Sequence, residues 1–189
     1  MYISLPNLLT YGRILMVPAV VITFFFKGDA ANWWALGLYT AACISDFFDG
    51  YFARIMNLQS SLVRMLDPIA DKLLIGVCLI MLVSNQTIQS FSIIAAVIIL
   101  SREILVSGLR EFLAEVKVSV PVSELAKWKT GFQMVSLGFL LAGEAGQKVL
   151  PYSIEIGLSL LWIAALLTVY TGYDYCKHSI EHTIREDSK

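Results

Sequence analysis

The feature that most restricts the fold is a series of long apolar stretches nearly free of charge. Residues 73–101 contain no charged side chain, and 14–26, 30–45 and 130–143 are equally bare. A bilayer-crossing helix needs about 20 mostly apolar residues. The three shorter stretches fall below that length, so a span built on any of them takes in charged residues at one end. Charged residues make up 15% of the chain and mean hydropathy is +0.70, against roughly 25% charge in soluble domains. The pattern predicts an all-α integral membrane protein with six transmembrane helices. They are expected at about 8–26, 33–53, 61–83, 88–113, 125–142 and 152–176.

The breaks follow from composition. Residues 84–90, SNQTIQS, split the longest uncharged stretch, and FKGDAAN (26–32) and GEAGQK (143–148) read as turns by their glycines and polar side chains. Residues 116–124 form the longest link. No repeat or low-complexity segment appears, so residues 1–189 read as a single membrane domain with a short polar tail from about 177. No basic region precedes the first apolar run and Arg13 interrupts it, which is not a signal-peptide layout.

Charge placement sets orientation. With six spans, 12 of the 14 Lys and Arg residues fall on one side and only Lys27 and Lys148 on the other. Basic residues favour the cytoplasmic side, so both termini are expected there. Trp33, Trp34 and Tyr152 at one set of helix ends and Trp128 at the other suit interfacial belts. A net charge of −1 gives no case for a nucleic-acid partner. Cys43, Cys78 and Cys176 lack paired spacing; the first two sit in apolar surroundings as small hydrophobes. His178 and His182 lie in the polar tail without acidic or cysteine partners.

Against this background, four aspartates stand out in residues 45–74. Asp46 and Asp49 are three apart and Asp67 and Asp71 four apart, so on helices each pair shares a face. Two facing helices would direct four carboxylates into one space, at high cost unless they are neutralised. Divalent cations with oxygen ligands, salt bridges to Arg54, Arg64 and Lys72, or a carboxylate ion pathway would each relieve that cost. Asp67-Pro68 also fits a helix cap and first turn. Gly50 allows close backbone approach, and Arg54 suits phosphate oxygens.

Asp46, Asp49, Gly50, Ala53, Arg54, Asp67 and Asp71, at their spacing, resemble the signature of the CDP-alcohol phosphotransferase family. One element differs: the family's second glycine is Val63 here, a β-branched side chain near the nucleotide. The resemblance implies that Asp46, Asp49, Asp67 and Asp71 hold two Mg²⁺ or Mn²⁺ ions. It implies that Asp46, Asp49, Gly50, Ala53, Arg54 and Val63 line the nucleotide side, and that Asp71 also takes the acceptor's proton. A homodimer is a further implication.

Residues 5–18, 101–113 and 127–134 resemble bacterial members that use glycerol 3-phosphate as acceptor. The implied reaction transfers the phosphatidyl group of CDP-diacylglycerol to that acceptor at the cytoplasmic face of the bacterial inner membrane, among membrane lipids. A phosphate dianion needs a cationic site. Arg102 and Arg110 lie eight apart on roughly one helix face; Lys127 and Lys129 begin the fifth helix, and Arg13 sits near the start of the first. These five are the expected acceptor-phosphate contacts. Lipid headgroups are the other reading for the lysines, and Glu103 or Glu111 could partner the arginines. A sibling with another acceptor, of the cardiolipin synthase type, and an ion or solute carrier are the alternative functions.

Overall fold

A computed structural model describes the backbone of residues 5–56, 61–115 and 124–187, and the side chains of residues 10–48, 66, 69–114 and 125–177. The described residues are helical, with turns and no strand. Six helices follow in order: α1 Leu5–Thr23, α2 Asp29–Met56, α3 Ser61–Ser84, α4 Ser92–Glu115, α5 Glu124–Val149 and α6 Ser153–Asp187.

Local chemistry sets the boundaries. Gly28 at φ 103° turns the chain between α1 and α2, where a side chain would be strained. Asp29 in the first turn of α2 complements the helix dipole. The turn expected over 84–90 is present. Asn85 N–H donates to Met81 O at 2.9 Å, and Gln86 takes φ 62° as α3 ends.

The fifth helix departs from expectation. Of residues 143–148, read above as a turn, 144–148 are helical, and the chain reverses only at 150–152. Gly143 kinks the helix at φ 50°, ψ −137°, a conformation essentially confined to glycine. The Asn32 side-chain amide donates to the Ala142 carbonyl at 3.2 Å, satisfying an acceptor at the break. A Cβ on residue 143 would lie 2.7 Å from Asn32 Nδ2. Gly143→Ala is therefore expected to destabilise the protein by about 1–3 kcal/mol, read as a lower midpoint of thermal unfolding in detergent; an unchanged midpoint would contradict this account of the kink. The polar residues after 176 also differ from expectation: they continue α6 to Asp187.

The most extensive packing joins α5 to α6. Helix α1 packs on α2 and α3, α4 on α6, and α2 on α5. Gly157 lets α6 approach α5, since a Cβ there would be 3.0 Å from the Leu140 side chain. Val20, Tyr39, Leu79, Ile99, Leu137 and Leu161 fill the shared core. The exterior is also apolar: Leu15, Phe47, Ile104, Leu166 and Tyr170 are all largely exposed, which suits lipid rather than water. Among the described residues, Ser92–Ala114 and Ser153–Lys177 are long and apolar enough to cross a bilayer, and Thr10–Thr23 is apolar but shorter. These features mark a membrane protein. At one end of the bundle, Lys148 pairs with Asp29 at 2.5 Å, joining the end of α5 to the start of α2. Asp46 lies toward the other end of α2.

Candidate active site

Two of the four aspartates, Asp46 and Asp71, have described side chains. Those of Asp49, Gly50, Ala53, Arg54, Val63 and Asp67 lie outside the described residues. Asp46 is on α2, about a third exposed, and its Oδ1 is 2.5 Å from Arg13 Nη1 on α1. Arg13 is 1% exposed. A buried guanidinium needs a counter-charge, and the packing of α1 on α2 supplies Asp46. Asp71, half-buried on α3, lies near enough for its charge to act on Cys43, which also senses Asp46 and Arg13. The charges of Asp46 on α2 and Asp71 on α3 are thus both felt at one thiol. Cys43 itself is unpaired with any other cysteine. Lys72, on the neighbouring position, donates to Ser107 Oγ on α4.

A second cluster joins α4, α5 and α6. Glu103 on α4 accepts from Lys129 Nζ on α5, and its Oε1 is 3.5 Å from Arg102 Nη1. Arg102 Nη2 also reaches Thr171 Oγ1 on α6 at 3.3 Å. Gly172 makes room for that arginine: a Cβ there would lie 3.1 Å from Arg102 Cγ. Lys129 is 4% exposed, and the charge of Asp71 reaches it as well. The charge of Asp71 is therefore felt in both clusters.

The remaining expected acceptor contacts are placed differently. Arg110 is exposed, with its guanidinium carbon 6.0 Å from the centre of the Tyr175 ring. Arg102 and Arg110 do share a face, since both meet α6. Lys127 is exposed, two residues from Lys129 and so on a different face of α5. Arg13 is held by Asp46, among the acids. Thr171, Gly172 and Tyr175 went unremarked in the sequence because nothing local marks them as the seats of two arginines on α4.

The described donor set is chemically suited to a hard divalent cation, because Asp46 and Asp71 offer oxygen ligands. Among the described residues no group of three metal-ligating side chains converges.

The chain belongs to the CDP-alcohol phosphatidyltransferase family, whose sequence model matches residues 3–170. Within that family it is 50% identical over 174 residues to the CDP-diacylglycerol–glycerol-3-phosphate 3-phosphatidyltransferase of Rickettsia bellii, covering 92% of this chain and 94% of the relative. A protein of the same name from Cereibacter sphaeroides is 36% identical over 213 residues, covering 95% and 96%. The cardiolipin synthase (CMP-forming) of Oryza sativa subsp. japonica is 35% identical over 189 residues, covering 93% of this chain and 57% of the relative.

Proposed function

We propose that this protein transfers the phosphatidyl group of CDP-diacylglycerol to glycerol 3-phosphate, giving phosphatidylglycerol phosphate and CMP. The observation that carries this reading is the gathering of Lys129 and Arg102 around Glu103, a seat for a phosphate, with the Asp71 carboxylate within electrostatic reach of Lys129. A carboxylate so placed can take the proton of an acceptor hydroxyl whose phosphate is held by Lys129 and Arg102. The oxygen attacks the phosphatidyl phosphorus, the bond from that phosphorus to the CMP oxygen breaks, and CMP leaves with the electron pair. Relatives covering nearly their whole length carry the name of this activity.

Asp46, Asp49, Asp67 and Asp71 would hold two Mg²⁺ or Mn²⁺ ions. Such ions, when bound, offset the charge of a diphosphate and of the departing phosphate. Gly50, Ala53, Arg54 and Val63 would border the nucleotide. Arg13 would orient Asp46, with Arg110 and Lys127 at the cytoplasmic rim. Six spans, both termini inside, an active site at the inner face of the bacterial cytoplasmic membrane and a homodimer complete the proposal, with residues 1–189 as one domain. The basic-residue split and the apolar exterior support the topology; the homodimer rests on the family resemblance alone.

The sibling reading, with phosphatidylglycerol as acceptor, has one observation in its favour, the likeness to the rice cardiolipin synthase. The Lys129 and Arg102 cations, the first buried and the second partly so, favour a free phosphate dianion instead. Purified protein with CDP-diacylglycerol and Mg²⁺ is expected to release CMP with glycerol 3-phosphate, and at least about 10²-fold more slowly with phosphatidylglycerol, serine or inositol. Release with phosphatidylglycerol alone would establish the sibling, and metal-independent solute movement without CMP release would establish a carrier.

A further inference from the structure

The group with least local explanation in the described bundle is Gln133. It is fully buried on α5, and among the described residues neither its Nε2 nor its Oε1 has a hydrogen-bond partner. Its polar neighbours on the same helix face are satisfied. Lys129, one turn earlier, donates to Glu103, and Ser136 Oγ donates to the Gly157 carbonyl at 2.7 Å. A buried primary amide with both functions unused is uncommon in native proteins and calls for a specific reason. Leucine would fill the same space without that cost.

We infer that Gln133 is a specificity-determining residue that binds the acceptor's secondary hydroxyl. The inference rests on the phosphatidyl transfer to glycerol 3-phosphate proposed above. A phosphate only accepts hydrogen bonds, and Lys129 and Arg102 match it with donors alone. A hydroxyl both donates and accepts, and an amide offers both partners in one group. Four residues separate Lys129 from Gln133, a rise of about 6 Å, comparable to the span of a three-carbon phosphate. Lys129 is held by Glu103 in this structure, so binding in this mode requires the acceptor's phosphate to take over that contact and its hydroxyl to reach the amide from the Lys129 side. Arg102 Nε also lacks a partner among the described residues, leaving it a further donor for the incoming anion.

The test compares glycerol 3-phosphate with 3-hydroxypropyl phosphate, which keeps the phosphate and the attacking primary hydroxyl but lacks the secondary one. CMP release by the wild-type protein in detergent with CDP-diacylglycerol and Mg²⁺ is expected to favour glycerol 3-phosphate by about 10²-fold in kcat/KM. Gln133→Met, nearly isosteric, should bring the ratio to within a few-fold of one by raising KM for glycerol 3-phosphate. Gln133→Asn, which keeps a shorter amide, serves if the methionine variant does not fold and should also lower the ratio. A purely structural role would lower both rates alike, so an unchanged ratio in a folded variant overturns the inference. Equal use of both acceptors by the wild type overturns it too, while leaving the transfer reaction standing. Absence of any glycerol 3-phosphate-dependent CMP release would instead refute the transfer reading, and this inference with it.

Discussion

Asp71→Asn is expected to lower CMP release by about 10³-fold, within the 10²–10⁴-fold range of general-base catalysis. Asparagine preserves the side-chain volume on α3 but can neither take a proton nor supply a carboxylate oxygen. The Asp71 charge is felt at Cys43 and at Lys129, while Glu103 is the carboxylate that holds Lys129, so the loss should fall on kcat rather than on KM for glycerol 3-phosphate. The measurement is single-turnover CMP formation at saturating acceptor, alongside binding of a CDP nucleotide to show that the donor side survives. Excess Mg²⁺ should not restore the rate, because added metal cannot replace the missing base. A variant within tenfold of the wild type would remove Asp71 from the proton-transfer role. Full recovery at high Mg²⁺ would reduce it to a metal ligand.

The helices were legible because their signals are local. Long uncharged stretches and the polar breaks around 28 and 84–90 were enough to find all six, with most boundaries displaced by a few residues but α5 and α6 running on to Val149 and Asp187. The i+3 and i+4 spacing of the acids implies one face on each helix; of the four, Asp46 and Asp71 have described side chains, and the charges of both are felt at Cys43. Glu103 was foreseen as a partner for Arg102 because the two are adjacent in sequence. What failed to show depends on geometry between distant segments. Residues 143–148 carry turn-like composition, yet Asn32 on another helix satisfies the Ala142 carbonyl and lets α5 continue past a glycine kink. The seat of Arg102 at Thr171 and Gly172 is equally remote. Among the described residues, hydropathy marks α4 and α6 as spans, while α2 and α3 carry acids within their length. The chemistry that identifies the family also dilutes the membrane signal.

Arg13→Met should show which side of the site this arginine serves. The sequence suggests an acceptor-phosphate contact, since Arg13 is a basic residue near the start of the first helix. In the folded protein its guanidinium is 1% exposed and 2.5 Å from the Asp46 carboxylate. A charge-assisted contact of that kind fixes the rotamer of the carboxylate and the direction of its remaining oxygen. Partners that orient a metal-ligating side chain are worth about 10–100-fold in metal affinity or activity. Arg13→Met is accordingly expected to raise the Mg²⁺ concentration for half-maximal CMP release by about 10–100-fold. KM for glycerol 3-phosphate, measured at saturating Mg²⁺, should change little. Arg13→Lys keeps the charge but loses the planar fork, and should fall between the two. Asp46 is partly solvent-exposed, so water can hydrate it when the guanidinium is gone and the fold should survive; thermal unfolding in detergent checks that. If the methionine variant instead raised KM for glycerol 3-phosphate and left the Mg²⁺ dependence unaltered, Arg13 would belong with Arg102 and Lys129 on the acceptor side, and its contact with Asp46 would be a resting arrangement that the substrate displaces.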